Sequence, residues 1–193
     1  MARTPSTMLE LGTALPDFSL LDTRSGTHTG PSDQPDAKAV VVMFICNHCP
    51  YVVRIREGLA ALGRDYAAKD VAIYAISSND VANYPDDSPE KMTVEAKTHG
   101  YTFPYLFDAD HSVAKAFHAA CTPEFYVFDR TRALVYRGQF DGARPGNAEP
   151  VTGESVRAAL DATLNGTPVS DEQRPSVGCN IKWQPGNAPS YFG

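Results

Sequence analysis

The sequence lacks both a dense block of basic residues and a long apolar segment. Its 17 Lys and Arg stand against 23 Asp and Glu, for a formal net charge of −6, so nucleic acid and anionic membrane surfaces are unsuitable electrostatic partners. No apolar run approaches the roughly 20 residues of a membrane-spanning helix. Residues 1–18 have no basic region followed by an apolar core, so we expect no signal peptide. These absences predict a cytoplasmic protein without membrane or nucleic acid partners.

Cysteine is scarce as well, with four residues in a chain of 193. Cytoplasmic thiols are kept reduced, so these few cysteines are not expected to cross-link the fold. A chain of this length buries a sizeable core without disulfides. Catalytic, redox or metal-binding roles are therefore favoured over structural roles for the cysteines.

The strongest motif is Cys46-Asn47-His48-Cys49. An unbroken apolar run at 40–45 precedes it, which is typical of a strand buried on both faces of a sheet. Residues 51–68 follow with apolar side chains at helical spacing, and a second apolar run occupies 71–76. The pattern predicts a βαβ unit with two thiols at the junction of its first strand and its helix.

Thiols in that position are typical of a redox site, because a helix N-terminus carries partial positive charge and unpaired N–H groups that stabilise a thiolate. Asn47 and His48 lie between the thiols and are expected to activate or position them. The alternative is a pair of buried cysteines that act as small apolar residues. Pro50 favours the first helical position, which makes Cys49 the N-cap. A helix that begins earlier favours Cys46 instead, and the sequence leaves this choice open.

Further elements follow from caps and periodicity. Ser88 and Pro89 favour the start of a helix and Gly100 favours its end, while Asp110 is expected to cap a short helix. Residues 166–193 contain proline without any clear period, so we expect an irregular tail. The predicted elements are an N-terminal hairpin within 17–29, helices at 89–99, 111–119 and 154–164, and a hairpin made of 124–128 and 133–137.

The order of these motifs resembles the thioredoxin superfamily. Two cysteines after a buried strand, a βαβ unit, Thr122-Pro123 ahead of a β-hairpin and a final helix carry the resemblance, over about residues 17–165. Within it the chain resembles the redoxin branch, the alkyl hydroperoxide reductase/thiol-specific antioxidant family, and a peroxiredoxin-like subgroup with a Cys-x-x-Cys motif. The resemblance implies an α/β, thioredoxin-like fold, with a central mixed sheet flanked by helices, an N-terminal β-hairpin and an irregular C-terminal tail. We expect a single domain over 1–193.

The resemblance also assigns roles to the site residues. It implies that Pro123 is a cis proline facing the thiols and that substrate backbone pairs with Thr122. Cys121 is then expected near the two thiols, although a buried cysteine at a strand end is the alternative. By the same resemblance Cys46 is the preferred nucleophile and Cys49 the resolving thiol.

The sequence departs from the peroxiredoxin pattern Pro-x-x-x-Thr-x-x-Cys. With Cys49 aligned to the attacking cysteine, Val42 replaces the proline and Cys46 replaces the threonine. The arginine that polarises peroxide would fall at about Pro123. Without threonine and arginine to orient a peroxide, strong peroxidase activity is not expected.

We therefore expect a thiol–disulfide oxidoreductase with an antioxidant role, acting on protein or small-molecule thiols and disulfides. The alternative is a thiol peroxidase that reduces hydroperoxides, and Cys121 and Cys179 are candidates for additional redox thiols in either case. A second alternative is a metal-binding module that uses Cys46 and Cys49 with Cys121 or His118. The leading hypothesis requires no metal and no cofactor, and the oligomeric state stays open.

Overall fold

A computed structural model describes residues 3–192 of the chain. Within them the chain forms four α-helices and ten strands. The helices are α1 (Pro50–Tyr66), α2 (Pro89–His99), α3 (Ser112–Ala116) and α4 (Glu154–Asn165). The strands are β1 (Arg3–Pro5), β2 (Leu20–Asp22), β3 (His28–Thr29), β4 (Ala39–Phe44), β5 (Val71–Ser77), β6 (Tyr105–Phe107), β7 (Cys121–Thr122), β8 (Glu124–Phe128), β9 (Leu134–Gly138) and β10 (Val177–Asn180).

Seven strands form the central sheet, in the order β3-β2-β6-β5-β4-β8-β9. β4 and β5 run parallel, with Val41 opposite Ile73, and β5 and β6 are parallel as well. β2 with β3 and β8 with β9 are antiparallel hairpins. The predictions of a mixed sheet, an N-terminal hairpin and a βαβ unit around the two thiols are therefore confirmed.

The apolar run of β4 lies at the centre of the sheet and is buried on both faces. Val41 and Met43 pack against α1, α2 and α4 on one side. Val42 and Phe44 pack on the other side, against α3 and residues from the end of the chain. Helices therefore flank the sheet as predicted, and β4 ends with its last residues in the core, directly before the two thiols.

The boundaries of α2 agree with the capping residues predicted from the sequence, whereas those of α3 agree less well. Ser88 accepts a hydrogen bond from the Lys91 N–H, and Gly100 ends α2 in the left-handed region with φ 66°. α3 is shorter than predicted and begins at Ser112. The Asp110 carboxylate accepts from the Ser112 N–H, whereas the buried carboxylate of Asp108 accepts from the next two amides of the turn.

The C-terminal segment is irregular over most of its length, but it contains one strand that the sequence does not predict. β10 lies between β1 and β7 in a second, three-stranded sheet. Cys179 is opposite Thr122 in the antiparallel register of β10 and β7. Gly178 permits this contact, since a Cβ atom there would lie 1.9 Å from the Thr122 carbonyl oxygen. The end of the chain is thereby placed beside the two thiols.

Among residues 3–192, none of the helices combines the length and the apolar character that crossing a membrane requires.

Candidate active site

The helix after the two thiols begins at Pro50, so Cys49 is its N-cap. The backbone of Cys49 is extended, with φ −67° and ψ 122°, and the proline occupies the first helical position, where its missing N–H costs nothing. The sequence left two helix starts open. The structure has the later one, at Pro50, which places Cys49 rather than Cys46 at the positive end of α1.

Both sulfurs are buried and both contact Thr122. The exposed fraction is 2% for Cys46 and 0% for Cys49. Cys46 Sγ lies 3.4 Å from Thr122 Oγ1, and Cys49 Sγ lies 3.2 Å from the Thr122 carbonyl oxygen. The Thr122–Pro123 peptide bond is cis, as the resemblance implied. The structure therefore brings four of the predicted site residues together at one junction.

The surroundings of the two sulfurs favour the thiolate on Cys49. A hydrogen bond with the Cys46 thiol is the largest cause that lowers the pKa of Cys49 to about 5; burial opposes it, while Cys179 and the Val52 N–H support it. The same bond with Cys49, together with burial and the Asp87 carboxylate, raises the pKa of Cys46 well above its usual value. The Thr122 carbonyl oxygen opposes a negative charge on Cys49, but the hydrogen bonds from Cys46, Cys179 and the Val52 N–H, together with the N-terminus of α1, outweigh it. At neutral pH the negative charge is thus favoured on Cys49 rather than on Cys46.

His48 turns toward a carboxylate rather than toward the sulfurs. Its Nδ1 lies 2.7 Å from Oδ2 of Asp87, and its ring stacks on Tyr84 at a centroid distance of 5.8 Å. The hydrogen bond with Asp87 raises the pKa of His48 despite partial burial. Within the described residues no hydrogen bond joins the His48 ring to either sulfur. The contact suits a residue that holds the loop of the motif in place.

Asp87 is the site residue that sequence reasoning missed. It is completely buried, and it accepts hydrogen bonds from the Asn47 N–H and from Asn79 Nδ2, each 2.8 Å long. Burial raises the pKa of Asp87, but the bonds from His48 and Asn79 outweigh it, and the net pKa lies below its usual value. Nothing in the sequence separates Asp87 from its exposed neighbour Asp86. Only the fold shows which of the two faces the motif.

Asn47 connects the motif to two neighbouring segments. Its Nδ2 donates to the Asp86 carbonyl oxygen over 2.8 Å, and its Oδ1 accepts from the Tyr105 hydroxyl over 3.0 Å. Together with the Asp87 contacts, these bonds hold the backbone between the two thiols from both sides. Asn47 therefore has a positioning role by geometry, and it touches neither sulfur through a hydrogen bond in the part of the chain that the structure describes.

Cys179 reaches the site from β10. Its sulfur lies 2.9 Å from Cys49 Sγ, and its side chain is 2% exposed. Burial, followed by the hydrogen bond with Cys49, raises the pKa of Cys179 to about 12. Cys179 is therefore buried beside the active-site pair rather than exposed at the protein surface.

Cys121 takes a different direction from Thr122, its neighbour in β7. Its sulfur lies 3.8 Å from Glu124 Oε2. That buried carboxylate also accepts from the Cys121 N–H and from the Tyr126 hydroxyl, at 3.2 Å and 2.6 Å. Burial and the Glu124 charge raise the pKa of Cys121 well above its usual value. Within residues 3–192 Cys121 has no hydrogen bond to Cys46 or Cys49, so it belongs to a separate polar network.

The metal-binding hypothesis meets a different set of residues from the one expected. Among the described residues, ligand atoms of Cys46, His48 and Asp87 lie within 4.8 Å of one another. Neither Cys121 nor His118 belongs to this group, and the His118 ring stacks on Tyr191 instead, at 4.9 Å. Two of these ligand atoms, His48 Nδ1 and Asp87 Oδ2, lie 2.7 Å apart and form an ion pair with each other when His48 is protonated.

Comparisons with known proteins agree with the geometry. The profile of the AhpC/TSA family matches residues 11–137. A crystal structure of an uncharacterized conserved protein from Geobacillus kaustophilus is 51% identical, with a TM-score of 0.93 over 96% of this chain and 98% of that one. A hypothetical protein from Sinorhizobium meliloti 1021 is also 51% identical, with a TM-score of 0.93 over 95% of this chain and 100% of that one. No curated protein matches the sequence significantly.

More distant structures share the fold alone. Peroxidoxin BcpB from Mycobacterium tuberculosis is 20% identical, with a TM-score of 0.60 over 81% of this chain and 97% of that one. The thioredoxin-like fold expected from the order of the motifs is thereby confirmed. The family profile spans the two thiols, Thr122 and Pro123, the residues that carry the site. The chain belongs to the AhpC/TSA family, in the redoxin branch of the thioredoxin superfamily, and is a thiol-dependent oxidoreductase.

Proposed function

We propose that the protein is a thiol–disulfide oxidoreductase that cycles Cys46 and Cys49 between a dithiol and a disulfide. The observation that supports this most is the position of Cys49 as the N-cap of α1, with the sulfurs of Cys49 and Cys46 both against Thr122. Cys49 is the attacking thiol in this proposal and Cys46 the resolving thiol. This order is the reverse of the one that the resemblance implied, because the helix begins at Pro50.

The chemistry follows from the two pKa shifts. The Cys49 thiolate attacks one sulfur of a substrate disulfide, a mixed disulfide forms at Cys49, and the other substrate sulfur leaves as a thiolate. Once Cys49 carries no charge, the largest cause of the raised pKa of Cys46 is removed. Cys46 can then lose its proton and attack Cys49 Sγ, which releases the second substrate thiol. The charge on the first thiol thus keeps the second one protonated until it is needed.

The substrates in this proposal are protein or small-molecule disulfides, and the setting is the cytoplasm, where the exchange would serve an antioxidant role. Thiols there are kept reduced, so a reductant for the Cys46–Cys49 disulfide is at hand. Expression of the native chain with a fluorescent tag, followed by cell fractionation, tests the location. Recovery in a secreted or membrane fraction would contradict it.

A thiol peroxidase is the second candidate, because the family includes such enzymes and a low-pKa thiolate also attacks hydroperoxides. Two observations place it second. Cys46 stands where a threonine would orient the peroxide, and no arginine bonds to either sulfur in the part of the chain that the structure describes. Stopped-flow oxidation of the reduced protein by hydrogen peroxide tests this candidate. A rate far above that of free cysteine would move it to first place.

The main test of the proposal is the reaction of the reduced protein with 2-hydroxyethyl disulfide, followed by peptide mapping under non-reducing conditions. The wild type is expected to consume the disulfide and to form a Cys46–Cys49 bond. Cys49→Ser is expected to react several-fold more slowly at pH 7, because Cys46 and Cys179 lie away from the N-cap position of α1 and burial still raises the pKa of both thiols. Cys121→Ser is the matched control and should react like the wild type. An unchanged rate for Cys49→Ser would contradict the role of Cys49.

A further inference from the structure

The end of the chain carries a third sulfur to the active-site pair. Cys179 Sγ lies 2.9 Å from Cys49 Sγ, beyond the length of about 2.05 Å of a disulfide bond. The two sulfurs are therefore adjacent and are joined by a hydrogen bond rather than by a disulfide bond. They belong to one buried cluster that also includes Cys46.

The position of Cys179 is built into the fold. β10 is paired on both of its edges, with β1 on one side and β7 on the other. Beyond the strand, the Lys182 N–H donates to Asn79 Oδ1 over 2.8 Å, and the Lys182 carbonyl accepts from the Asp80 N–H over 2.7 Å. These bonds anchor the segment 177–182 to the loop that also supplies Asp87. Cys179 is thus held against Cys49 by strand pairing on both edges of β10 and by the hydrogen bonds of Lys182 beyond it.

The same strand restricts what can approach the site. β10 pairs with Thr122, the residue that contacts both active-site sulfurs, and both of these thiols are 2% exposed or less. A protein strand cannot pair with that edge of β7 while β10 occupies it. A small disulfide needs no such pairing and is therefore the oxidant that this arrangement favours.

We propose that Cys179 is a third redox thiol, which forms an in-chain disulfide with Cys49 after Cys49 has reacted with a low-molecular-weight disulfide. The inference rests on the proposed function, in which Cys49 is the attacking thiol. First, the Cys49 thiolate attacks the small disulfide RSSR, the S–S bond of RSSR breaks, and RS⁻ leaves and takes up a proton. Then Cys179 gives its proton to solvent and its thiolate attacks Cys49 Sγ. The bond between Cys49 and SR breaks, and the second RS⁻ leaves and takes up a proton.

In the balance of these steps, two protein thiols lose two electrons and form the Cys49–Cys179 disulfide, while RSSR is reduced to two RSH. Cys46 can then attack Cys49 Sγ and release Cys179 as a thiol, which moves the bond to Cys46–Cys49 without net oxidation. The three sulfurs form a relay in this way, with Cys49 at its centre. In this proposal β10 supplies a redox thiol to the site and does not merely cover it.

The test uses full-length Cys46→Ser, in which Cys179 is the thiol that the structure places against Cys49. The reduced variant is treated with 2-hydroxyethyl disulfide, quenched with acid and mapped by mass spectrometry without reduction. We expect a peptide pair joined by Cys49 and Cys179, and two moles of mercaptoethanol released per mole of chain. In Cys46→Ser/Cys179→Ser the mixed disulfide is expected to accumulate to one per chain. Cys46→Ser/Cys121→Ser is the matched control and should still form the Cys49–Cys179 bond.

The outcomes separate the inference from the proposed function. A stable mixed disulfide in Cys46→Ser, with the Cys179 thiol unmodified, overturns the inference and leaves the Cys46–Cys49 pair intact. The inference is also overturned if Cys46→Ser does not react while the wild type forms the Cys46–Cys49 bond. That result would contradict Cys49 as the attacking thiol as well, but it would leave the Cys46–Cys49 pair as the redox site. A wild type that fails to react with the probe overturns the proposed function, and the inference with it. The decisive readout is obtained on Cys46→Ser and wild type, so it does not depend on how well the Cys179 variant folds.

Discussion

The charge on Cys49 provides the sharpest test of the site. The pKa of Cys49 falls from 9.0 to about 5, and the largest cause is the hydrogen bond with the Cys46 thiol. A shift of that size corresponds to about 5 kcal/mol of preference for the thiolate. A hydrogen bond to a charged group contributes about 1.5–3 kcal/mol, which equals about 1–2 pKa units. Cys46→Ala should therefore move the pKa of Cys49 to about 6–7.

Cys46→Ser is the matched variant, because its hydroxyl still donates a hydrogen bond. It should shift the pKa of Cys49 by less than Cys46→Ala does. Cys121→Ala serves as the control and should leave the titration unchanged, since Cys121 is bonded to Glu124 rather than to the active-site pair. The order expected for the pKa of Cys49 is wild type and Cys121→Ala lowest, then Cys46→Ser, then Cys46→Ala.

The assay is a pH titration of the ultraviolet thiolate absorbance of the reduced protein, which does not require a reagent to reach buried sulfurs. The pKa values of Cys46, Cys121 and Cys179 are all raised, so the first titration step of the wild type reports Cys49 alone. At pH 5.5 about three quarters of the wild type should carry the thiolate, against about one tenth of Cys46→Ala. Equal midpoints for both proteins, or a wild-type midpoint near 9, would refute the assignment of the charge to Cys49.

Three further predictions concern the segments around the thiols. Gly178→Ala places a Cβ against the Thr122 carbonyl, so it should weaken the pairing of β10, lower stability by about 1–3 kcal/mol and speed thiol labelling. Gly142→Ala is the control and should have none of these effects, because a Cβ there meets only Glu149 Cγ at an ordinary contact distance of 3.9 Å. Asp87→Asn should lower the free energy of unfolding, measured in urea, by about 2–3 kcal/mol. This is less than the loss expected for a fully buried ion pair, because the His48 side chain is 23% exposed. A loss below about 0.5 kcal/mol would contradict a stabilising role of the His48–Asp87 pair. The difference between wild type and Asp87→Asn should also depend on pH. The pKa of His48 is raised, so its contribution to stability is complete below about pH 6.5 and is lost as the pH rises through its pKa in the folded protein. The pKa of Asp87 is lowered, so its contribution to stability is complete above about pH 4 and is lost as the pH falls through its pKa in the folded protein. Urea unfolding across the pH range should therefore show the largest difference between about pH 4 and 6.5, and a flat difference would exclude this coupling.

Parts of the site were within reach of sequence reasoning and parts were not. The motif itself is local, since apolar periodicity before and after Cys46-Asn47-His48-Cys49 is enough to predict a strand, a junction and a helix. The first residue of the helix needed the structure, because Pro50 and the motif length allow more than one start. Asp87 was not identifiable, because its partner His48 lies far away in the sequence and the neighbouring Asp86 has the same chemistry. The choice of attacking thiol depended on both of these unknowns.

The sequence by itself determined the βαβ unit, the caps of α2, the second hairpin and the presence of two thiols at a helix N-terminus, because each of these depends on residues that are close together in the chain. Tertiary structure alone decided that β10 pairs with β7 and that Cys179 meets Cys49. The four residues of β10 are too few to show a recognisable alternation of apolar and polar side chains. The free edge of a strand such as β7 can pair with any strand that reaches it. Which segment does so depends on the path of the whole chain. The third sulfur of the site is therefore a property of the fold, while the first two are a property of the sequence.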